Sequence, residues 1–487
     1  MQRVETVETA DLAGEPPLCV DLDDTLLLND SLEDQVVWMV FHHPLKLLAA
    51  VAASGFRRAA FKEKVAGSFP ADLVPGVYDP TVLQALREEH LRGRRLILTT
   101  ASTSQMARRV ADDLGIFSEV IASDGELNLK GEAKARRLVE RFGLKGFDYA
   151  GDSRADIAVW KQARCGWFVG NAGEVLRQAR GSADIVRILE RPRATLLDLL
   201  RLLRPHQWAK NLLVFVPLLT AHLWSNAEAL VAAFVTFISL SLTASAVYVL
   251  NDLSDLTDDR RHPRKRSRAL ASARVRPRVG LLVAALLIAC AGTLVWATRQ
   301  ADVAGLLLVY ATATLLYSYK LKRIELLDVF ALASLYVLRI VIGGIAIQVE
   351  MSSWLLAFSL FFFLSLALVK RFCEASFAAE SGSIRLFGRG YHSRDAEFIA
   401  SLGSASGYIA VVVFALFLTS NEVARTYSRP DLLWLVCIIL LYWISRVWLL
   451  THRGRMNEDP VLFAVKDPVS YGCGFLICVV VLLAAVI

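Results

Sequence analysis

The chain has 487 residues, a net charge of +7 and a mean hydropathy of +0.44. It is too long for one small soluble domain and too apolar for a purely soluble protein. The seven cysteines show no metal-ligand spacing and lie mostly in apolar segments, so no disulfide framework is implied. Charged residues are frequent over residues 1–200, whereas long apolar runs recur from about Trp208 onward.

Three short apolar runs in the first 185 residues predict buried strands, and polar residues follow each of them. The runs are Leu18–Val20, Leu96–Thr99 and Phe147–Ala150. The polar residues after or between them are Asp21, Asp23, Thr100, Lys134, Asp152 and Asp156. Because open α/β sheets bind ligands at the carboxyl ends of their strands, we expect these side chains to meet there.

In this order, the four polar blocks resemble the motifs of the haloacid dehalogenase superfamily over about residues 17–185. Asp-x-Asp or Gly-Asp-Ser alone is common by chance, but the ordered set is specific. The resemblance implies an N-terminal α/β Rossmann-like phosphatase domain. The alternative is an intact fold whose activity has been lost or put to regulation.

The same resemblance implies a role for each motif residue. Asp21 is the nucleophile that forms an aspartyl phosphate, and Asp23 is the general acid and base. Phosphoryl oxygens are held by Thr100 and Lys134. The implied Mg²⁺ ligands are Asp21, the backbone carbonyl of Asp23, and Asp152, with Asp156 supporting the site.

Two connecting segments carry expectations of their own. Trp38 to Leu48 is interrupted by Pro44 and too short to span a membrane, which leaves open an interfacial helix or a buried cap helix. Residues 186–206 are expected to form a basic linker helix. The predicted domains are therefore 1–185, 186–206 and 207–487.

The remainder of the chain contains apolar runs of ~17–23 residues, the length that crosses ~30 Å of hydrocarbon as a helix. These runs predict an all-α nine-helix transmembrane bundle. The nine candidate spans lie at about 208–225, 228–250, 279–298, 302–318, 326–348, 352–369, 398–419, 431–450 and 470–487. Lysines and arginines concentrate in the loops after even-numbered spans, which places those loops and the N-terminal domain on the cytoplasmic side of the inner membrane. This pattern favours anionic lipid and phosphate partners over nucleic acid.

An acidic motif follows the second predicted span. Asn251, Asp255 and Asp259 are spaced i, i+4 and i+8, so on a helix all three share one face. Their oxygens suit Mg²⁺, which shares its remaining positions with substrate phosphates. Lys265 and Arg266 downstream can bind the outer phosphate oxygens. A loop that only sets topology would explain the basic residues but not the aligned acids.

Nine spans with this motif after the second resemble the UbiA-type intramembrane prenyltransferase superfamily over roughly residues 200–487. Details favour one branch, the bacterial polyprenyl-phosphate (decaprenyl-phosphate) phosphoribosyltransferases, in which phosphoribosyl pyrophosphate is the donor and a lipid phosphate the acceptor. The segments similar to that branch are Leu203–Asn211, His262–Arg266, Tyr317–Lys322, Leu327-Asp328, Leu338-Arg339 and Gly343-Gly344.

The chain departs from aromatic prenyltransferases of this superfamily, which usually carry a second Asp-x-x-x-Asp motif after the sixth span. Here that span ends in Lys370 and Arg371, with Glu374 four residues beyond Lys370. The two cations can contact an additional phosphate, or they can cap a helix at the interface. The predicted phosphate contacts of the transferase are Lys210, Lys265, Arg266, Lys322, Lys370, Arg371 and Tyr391.

The sequence thus predicts a Mg²⁺-dependent membrane enzyme with two modules. Asp255 and Asp259 serve the transfer of 5-phosphoribose from phosphoribosyl pyrophosphate to a polyprenyl phosphate, a cell-wall precursor reaction. Asp21 and Asp23 serve a phosphatase that removes the product's 5-phosphate. One alternative is prenyl transfer from a prenyl diphosphate to an aromatic acceptor. Another is a membrane transporter or lipid-binding protein with a catalytic cytosolic phosphatase domain, which predicts acids in mid-span. Homo-oligomer formation is left open.

Overall fold

The structure is a computed structural model that describes residues 14–55, 58–70, 72–73, 76–123, 128–191, 194–263, 265–380, 386, 389–421, 423, 427–456, 460–464 and 466–486. The chain divides into two compact units. The first unit contains the described residues up to Leu202 together with Asp252–Leu282, and the second contains Leu203–Asn251 and the described residues from Val283 onward.

A six-stranded parallel sheet forms the centre of the first unit, in the order β3-β2-β1-β4-β5-β6. Its strands are β1 Leu18–Val20, β2 Leu96–Thr103, β3 Glu119–Ser123, β4 Asp148–Gly151, β5 Gly166–Val169 and β6 Ile185–Leu189. From β1 the chain proceeds outward to β2 and β3 on one side and then to β4, β5 and β6 on the other. Such a change of direction opens a crevice at the carboxyl ends of the central strands β1, β2 and β4. The predicted α/β fold is confirmed.

Helices cover both faces of this sheet and form an insertion between β1 and β2. They are α1 Ser31–His42, α2 Pro44–Ala53, α3 Arg58–Ser68, α4 Pro80–Leu91, α5 Ser104–Leu114, α6 Glu132–Phe142, α7 Ile157–Trp160 and α8 Glu174–Arg180. Helix α9 Leu196–Leu203 follows the last strand in the chain. Leu18 and Val20 belong to one buried layer, whereas Cys19 packs with Tyr149 and Trp160 in the other. Burial on both faces explains why these strands read as continuous apolar runs.

The linker helix expected over residues 186–206 is wrong in its first part. Ile185–Leu189 forms strand β6 at the sheet edge, paired in parallel with β5. A helix begins only at Leu196. The run from Ile185 to Leu189 is mostly apolar, and three of its five residues, Ile185, Val186 and Ile188, are β-branched. β-Branched residues favour a strand over a helix.

The second unit is helical. Among the helices that follow α9 in the chain, α12 lies within the segment Asp252–Leu282 and therefore belongs to the first unit. These helices are α10 Val216–Thr220, α11 Ala227–Ser254, α12 Leu256–Arg261, α13 Pro277–Thr298, α14 Ala301–Tyr319, α15 Leu327–Ala346, α16 Ser353–Glu380, α17 Ala396–Leu418, α18 Trp434–His452, α19 Pro460–Ala464 and α20 Pro468–Val486. Among the described residues, eight helices are long and apolar enough to cross a membrane. They coincide with eight of the nine predicted spans.

The first predicted span, 208–225, does not form a long α-helix. Pro205–Phe215 is a 3-10 helix, followed by the short helix α10. Pro217 lacks a backbone N–H and interrupts regular α-helical hydrogen bonding near this junction. At ~2.0 Å per residue for the 3-10 part and ~1.5 Å for α10, the two elements would together reach about 30 Å along one axis, which is the hydrocarbon thickness.

Candidate active sites

Asp21 lies directly after β1, where its backbone N–H donates to the Ala150 carbonyl of the neighbouring strand β4 (3.0 Å). One carboxylate oxygen is 2.9 Å from the Lys134 ammonium. Lys134 projects from the first turn of α6, and its Nζ also donates to the Tyr149 hydroxyl (2.9 Å). The structure therefore brings together the predicted nucleophile and the predicted phosphoryl-binding lysine.

Three carboxylates converge beside this lysine. Ligand oxygens of Asp21, Asp152 and Asp156 all lie within 4.8 Å of one another. Asp156 is held in place by Tyr149, whose hydroxyl donates to its Oδ1 (2.6 Å), and by Ser153, whose hydroxyl donates to its Oδ2 (2.6 Å). The residues after the first and third predicted strands thus lie together, as the sequence predicts.

The charge balance of this cluster fits a divalent cation. Lys134 supplies one positive charge, 2.9 Å from Asp21 and 3.8 Å from Asp156, against three carboxylates. Burial raises the pKa of Asp21 to about 7 although Lys134 opposes the shift, and burial with the nearby Asp156 raises the pKa of Asp152 to about 9. Carboxylates that are costly to ionise without a further cation form a hard oxygen site of the kind that Mg²⁺ prefers.

Asp23 is held by the start of the insertion and by strand β2. Its Oδ1 accepts from the backbone N–H of Ser31 at the start of α1 (2.7 Å), and its Oδ2 accepts from the Ser102 hydroxyl (2.6 Å). The predicted residue Thr100 is buried on β2, and its hydroxyl accepts from the Ser102 backbone N–H (2.9 Å). Strand β2 runs through Thr103, four residues beyond the predicted end, so both hydroxyls lie within the strand.

Sequence reasoning missed several partners at this site. Tyr149 was assigned only to a buried strand, yet it links Lys134 to Asp156. Thr25 donates to Asp152 (3.1 Å) and could have been found because it completes Asp-x-Asp-x-Thr. Arg276, from the segment Asp252–Leu282, donates to Asp24 (2.7 Å), and no local sequence signal connects residues so far apart.

The second acidic motif is not carried by one straight helix. Helix α11 ends at Ser254 and α12 starts at Leu256, with Asp255 between them at φ −91° and ψ 11°. The motif is therefore divided between two helices, with Asp255 as the residue between them. The division between the two units also falls within the motif, because Asn251 ends a stretch of the second unit and Asp252 begins a stretch of the first.

Basic side chains of the same loop already hold the buried Asp259. Arg268 donates to Asp259 (2.6 Å) and to Asp252 (3.0 Å), and the Lys265 ammonium lies 3.6 Å from Asp259. Burial raises the pKa of Asp259, while Arg268 and Lys265 oppose the shift. Arg268 is thus a functional candidate that the sequence reasoning did not single out. Arg266 is exposed on the short 3-10 helix Lys265–Ser267.

In the second unit, the motif residue Asn251 and the buried cation Arg371 both have partners within the protein. The Asn251 amide donates to the Ser318 hydroxyl (2.8 Å). Arg371 is completely buried, 2.5 Å from Asp328, and also bonded to Glu374 and to the Tyr317 hydroxyl. Arg371 is therefore already engaged within the protein.

The other predicted phosphate contacts of the second unit differ in their engagement. The Tyr391 hydroxyl donates to Asp328 (2.6 Å) and accepts from the Leu326 backbone N–H (2.8 Å). Lys210 lies in the 3-10 helix Pro205–Phe215 and Lys322 in the 3-10 helix Leu321–Arg323, both partly buried. No hydrogen bond or ion pair to another described residue holds the partly buried Lys370 ammonium.

A further buried arginine in the second unit was named only as part of the family pattern. Arg339 of α15 donates to the Asn211 side-chain oxygen (3.0 Å) and to the Tyr310 hydroxyl (2.8 Å), and it stacks over the Tyr310 and Tyr336 rings. Asn211 follows Lys210 directly, so Arg339 fixes the segment that carries a predicted phosphate contact.

Two family models match the chain. The UbiA prenyltransferase family matches residues 213–466, and the haloacid dehalogenase-like hydrolase model matches residues 18–161. The first match covers more than half of the chain and includes Asn251, Asp255 and Asp259. The second includes Asp21, Asp23, Thr100, Lys134, Asp152 and Asp156.

Individual relatives match the chain over different shares of its length. The uncharacterized protein y4nM of Sinorhizobium fredii is 36% identical over 95% of this chain and 89% of its own length. Nodulation protein NoeC of Azorhizobium caulinodans is 36% identical over 55% of this chain and 87% of its own. A decaprenyl-phosphate phosphoribosyltransferase of Mycolicibacterium smegmatis is 29% identical over 57% of this chain and 89% of its own. Among solved structures, a UbiA homolog from Archaeoglobus fulgidus bound to GPP and Mg²⁺ covers 57% of this chain and 99% of its own, with 16% identity and a TM-score of 0.44.

Proposed function

Since the chain belongs to the UbiA prenyltransferase family and carries a haloacid dehalogenase-like domain at its N-terminus, we propose that it joins a phosphoribosyltransferase to a phosphatase. The membrane module would transfer 5-phosphoribose from phosphoribosyl pyrophosphate to a polyprenyl phosphate. The N-terminal module would then remove the 5-phosphate from the lipid-linked product.

The observation that carries the transferase proposal is Lys370 at the end of α16. Where an aromatic prenyltransferase would be expected to have a second acidic pair, this chain has an ammonium that no described residue pairs with, next to the buried Arg371. A donor with a pyrophosphate and a 5-phosphate, and an acceptor that is itself a phosphate, need more cationic contacts than an aromatic acceptor does. The likeness to the Mycolicibacterium smegmatis relative points the same way.

In the proposed reaction, a phosphate oxygen of the lipid attacks the anomeric carbon of the donor. The bond from that carbon to pyrophosphate breaks, and pyrophosphate leaves with the electron pair. No dedicated base is required because the lipid phosphate is already ionised near neutral pH. Bound Mg²⁺ would offset the charge that develops on the leaving group. Asn251, Asp255 and Asp259 are the proposed ligands, and Lys210, Lys265, Arg266, Lys322 and Lys370 the proposed phosphate contacts.

We propose one change in this assignment. Arg371 is bonded to Asp328, Glu374 and Tyr317, so we give it a positioning role in place of direct phosphate binding. Tyr391 shares Asp328 with it and belongs to the same network. Removal of Arg371 would leave the fully buried Asp328 without its arginine partner.

The test is a transfer assay with purified full-length protein in lipid nanodiscs. Labelled phosphoribosyl pyrophosphate and a polyprenyl phosphate are expected to place label in the organic phase, and Lys370→Met should reduce this transfer. Lys466→Met, an exposed lysine, is the control. A prenyl diphosphate with an aromatic acceptor serves as the competing substrate pair, and turnover with that pair alone would replace the phosphoribosyl assignment.

For the phosphatase, we propose that the Asp21 carboxylate attacks phosphorus and displaces the ribose 5-oxygen, which takes a proton from Asp23. Water then attacks the aspartyl phosphate, gives its proton to Asp23, and releases inorganic phosphate with Asp21 regenerated. Ser31 and Ser102 fix the Asp23 carboxyl for both proton transfers. Mg²⁺ bound by Asp21, Asp152 and the backbone carbonyl of Asp23, with Asp156 in support, would shield the incoming phosphate from the carboxylates.

Contacts within the first unit support a shared substrate. The segment Asp252–Leu282 carries Asp255 and Asp259, and its arginines bind the phosphatase region: Arg276 to Asp24 (2.7 Å) and Arg260 to Asp34 (2.6 Å). Asp24 adjoins Asp23, so an arginine from the transferase loop reaches the neighbourhood of the phosphatase acid. Tethering of this kind raises the effective concentration of a second site to roughly millimolar.

We also propose that both sites face the cytoplasm. The residues up to Leu202 and the loop after α11 lie in one compact unit and therefore share a side of the membrane. Because α11 crosses once, the segment 203–226 must cross as well, which its length of about 30 Å allows. The basic loops then satisfy the positive-inside rule.

The coupling is tested by mass spectrometry of the extracted lipid. Wild-type protein should give a lipid-linked ribose without the 5-phosphate, and Asp21→Asn protein should give the same lipid with it. Equal phosphate content in both products would contradict the coupling even if each separate activity survives.

A further inference from the structure

Helix α2 exposes an apolar stripe. Leu45, Leu48, Ala49 and Ala52 follow the spacing i, i+3, i+4 and i+7, which places them on one helix face. Leu45 is 80% exposed and Leu48 66% exposed, while Ala50 on the opposite face is buried. The apolar face is thus turned away from the domain core, and the expectation of a buried cap helix is not met.

The stripe is connected directly to the phosphatase site. The first residue of α1, Ser31, donates its backbone N–H to Asp23 (2.7 Å) and its hydroxyl meets Ser102 (3.0 Å). One residue, His43, separates the end of α1 from the start of α2. Since α1 has 12 residues and rises about 18 Å, the stripe begins one short helix away from the proposed general acid.

The first turn of α1 is tied to residues that border membrane spans. Asp34 accepts from Arg260 (2.6 Å), and Glu33 accepts from the backbone N–H of Arg278. Arg260 follows the span α11 by six residues, and Arg278 is the second residue of the span α13. The helix that leads into α2 therefore contacts the segment that joins two candidate spans.

Charge beside the stripe matches an anionic bilayer. Lys46 is exposed on the flank of the stripe, where a long side chain can reach lipid phosphates while its neighbours enter the acyl region. Lys64 of α3 donates to the Ala53 carbonyl at the end of α2 (3.1 Å) and adds a second exposed cation there. Basic residues near an apolar helix face strengthen binding to anionic lipid.

We propose that α2 lies in the interface of the bilayer with Leu45 and Leu48 inserted among the lipids. This contact holds the insertion of the phosphatase domain on the membrane and directs its active site toward phosphoesters carried by lipids. The proposal concerns the cap alone and does not depend on which lipid the transferase uses.

Lipid quenching tests the contact without any substrate. A fluorescent probe is attached at Leu48→Cys in full-length protein whose exposed Cys290 and Cys478 are replaced by serine, in nanodiscs of brominated phosphatidylcholine and phosphatidylglycerol. Quenching is expected to be several-fold stronger than for the same probe at Leu91→Cys, which is 85% exposed at the end of α4. Equal quenching at both positions, or energy transfer between two protein copies through α2 without quenching, would overturn the proposal.

An activity comparison extends the test to the phosphatase. The double variant Leu45→Asp with Leu48→Asp should hydrolyse soluble p-nitrophenyl phosphate at the wild-type rate. It should hydrolyse a lipid-linked phosphoester roughly tenfold more slowly, because the insertion would no longer be held on the bilayer beside that substrate. Leu91→Asp is the control and should behave like wild type. Equal loss of activity on both substrates in the double variant would contradict membrane docking. If the wild-type protein is inactive on both substrates, the phosphatase assignment is contradicted and the quenching result remains valid.

Discussion

The first compact unit contains two groups of carboxylates whose counter-charges differ. Asp21, Asp152 and Asp156 share one ammonium, that of Lys134, and their oxygens converge. Asp252 and Asp259 share the guanidinium of Arg268, and Lys265 adds a second cation. The first group has excess negative charge and is ready for a divalent cation, whereas the second is largely neutralised by the protein itself.

This difference implies two modes of assembly. Parallel strands fix the first group, so its geometry is present before substrate arrives. The second group lies in a loop between α11 and α13. On the proposed function, Arg268 and Lys265 would exchange carboxylate partners for phosphate when a metal and a diphosphate bind, a rearrangement that the phosphatase site would not need.

The largest expected effect is that of Asp21→Asn. Loss of the covalent nucleophile should lower phosphatase turnover by at least about 10⁴-fold, the scale measured for removal of catalytic-unit members in other hydrolases. Lipid transfer should be unchanged. Release of inorganic phosphate and transfer of labelled ribose are measured on the same preparation, with Asp112→Asn, an exposed acid of α5, as control. Parallel loss of both activities would show that the two sites do not act independently.

Asp255→Asn should lower lipid transfer by about 10²-fold, since one electrostatic stabiliser of the transition state is lost. Phosphatase activity toward a soluble phosphoester should persist. Asp258→Asn is the matched control because Asp258 belongs to the same loop but is exposed. Wild-type transfer by Asp255→Asn protein at saturating Mg²⁺ would contradict the assignment of the motif.

The phosphatase site was predictable because its residues follow strands. Strand ends are fixed by backbone hydrogen bonds, so short apolar runs and the polar residues after them specify the meeting of Asp21 with Asp152. Tyr149 was not predicted as a site residue, because a tyrosine within an apolar strand reads as core. Its hydroxyl partners, Lys134 and Asp156, come from separate elements.

The transferase motif was less predictable because helix periodicity assumes a continuous helix. The break at Asp255 invalidates that assumption, and the ion pairs of Asp259 with Arg268 and Lys265 arise from a loop fold that spacing does not encode. Span prediction succeeded for eight helices because length and hydropathy suffice. It was wrong for the span predicted at 208–225, which begins as a 3-10 helix. Apolarity alone does not distinguish a 3-10 segment from an α-helix.

Tyr149→Phe sharpens the account of the preformed group. The variant removes a hydroxyl that accepts from Lys134 and donates to Asp156, both of them buried. Phosphatase turnover should fall about tenfold, equivalent to ~1.4 kcal/mol and within the range for a buried polar group without its partner. Tyr78→Phe, which loses an exposed hydrogen bond to Asp113, is the control. A general loss of folding would lower turnover and thermal stability in both variants alike, so stability is measured alongside.

Arg268→Gln tests the neutralised group. Without the guanidinium, Asp252 and Asp259 lose their shared partner, and a metal no longer competes with a charge-assisted hydrogen bond worth ~1.5–3 kcal/mol. The Mg²⁺ concentration for half-maximal transfer should therefore fall, by about threefold to tenfold because Lys265 still competes for Asp259. Titrations at fixed donor concentration measure this value, with Arg261→Gln as the control since Arg261 binds the exposed Asp72. If Arg268 mainly binds the diphosphate, its replacement will raise the KM for the donor, and the Mg²⁺ requirement will not fall. That outcome would contradict the contrast between a preformed site and one whose arginine exchanges partners.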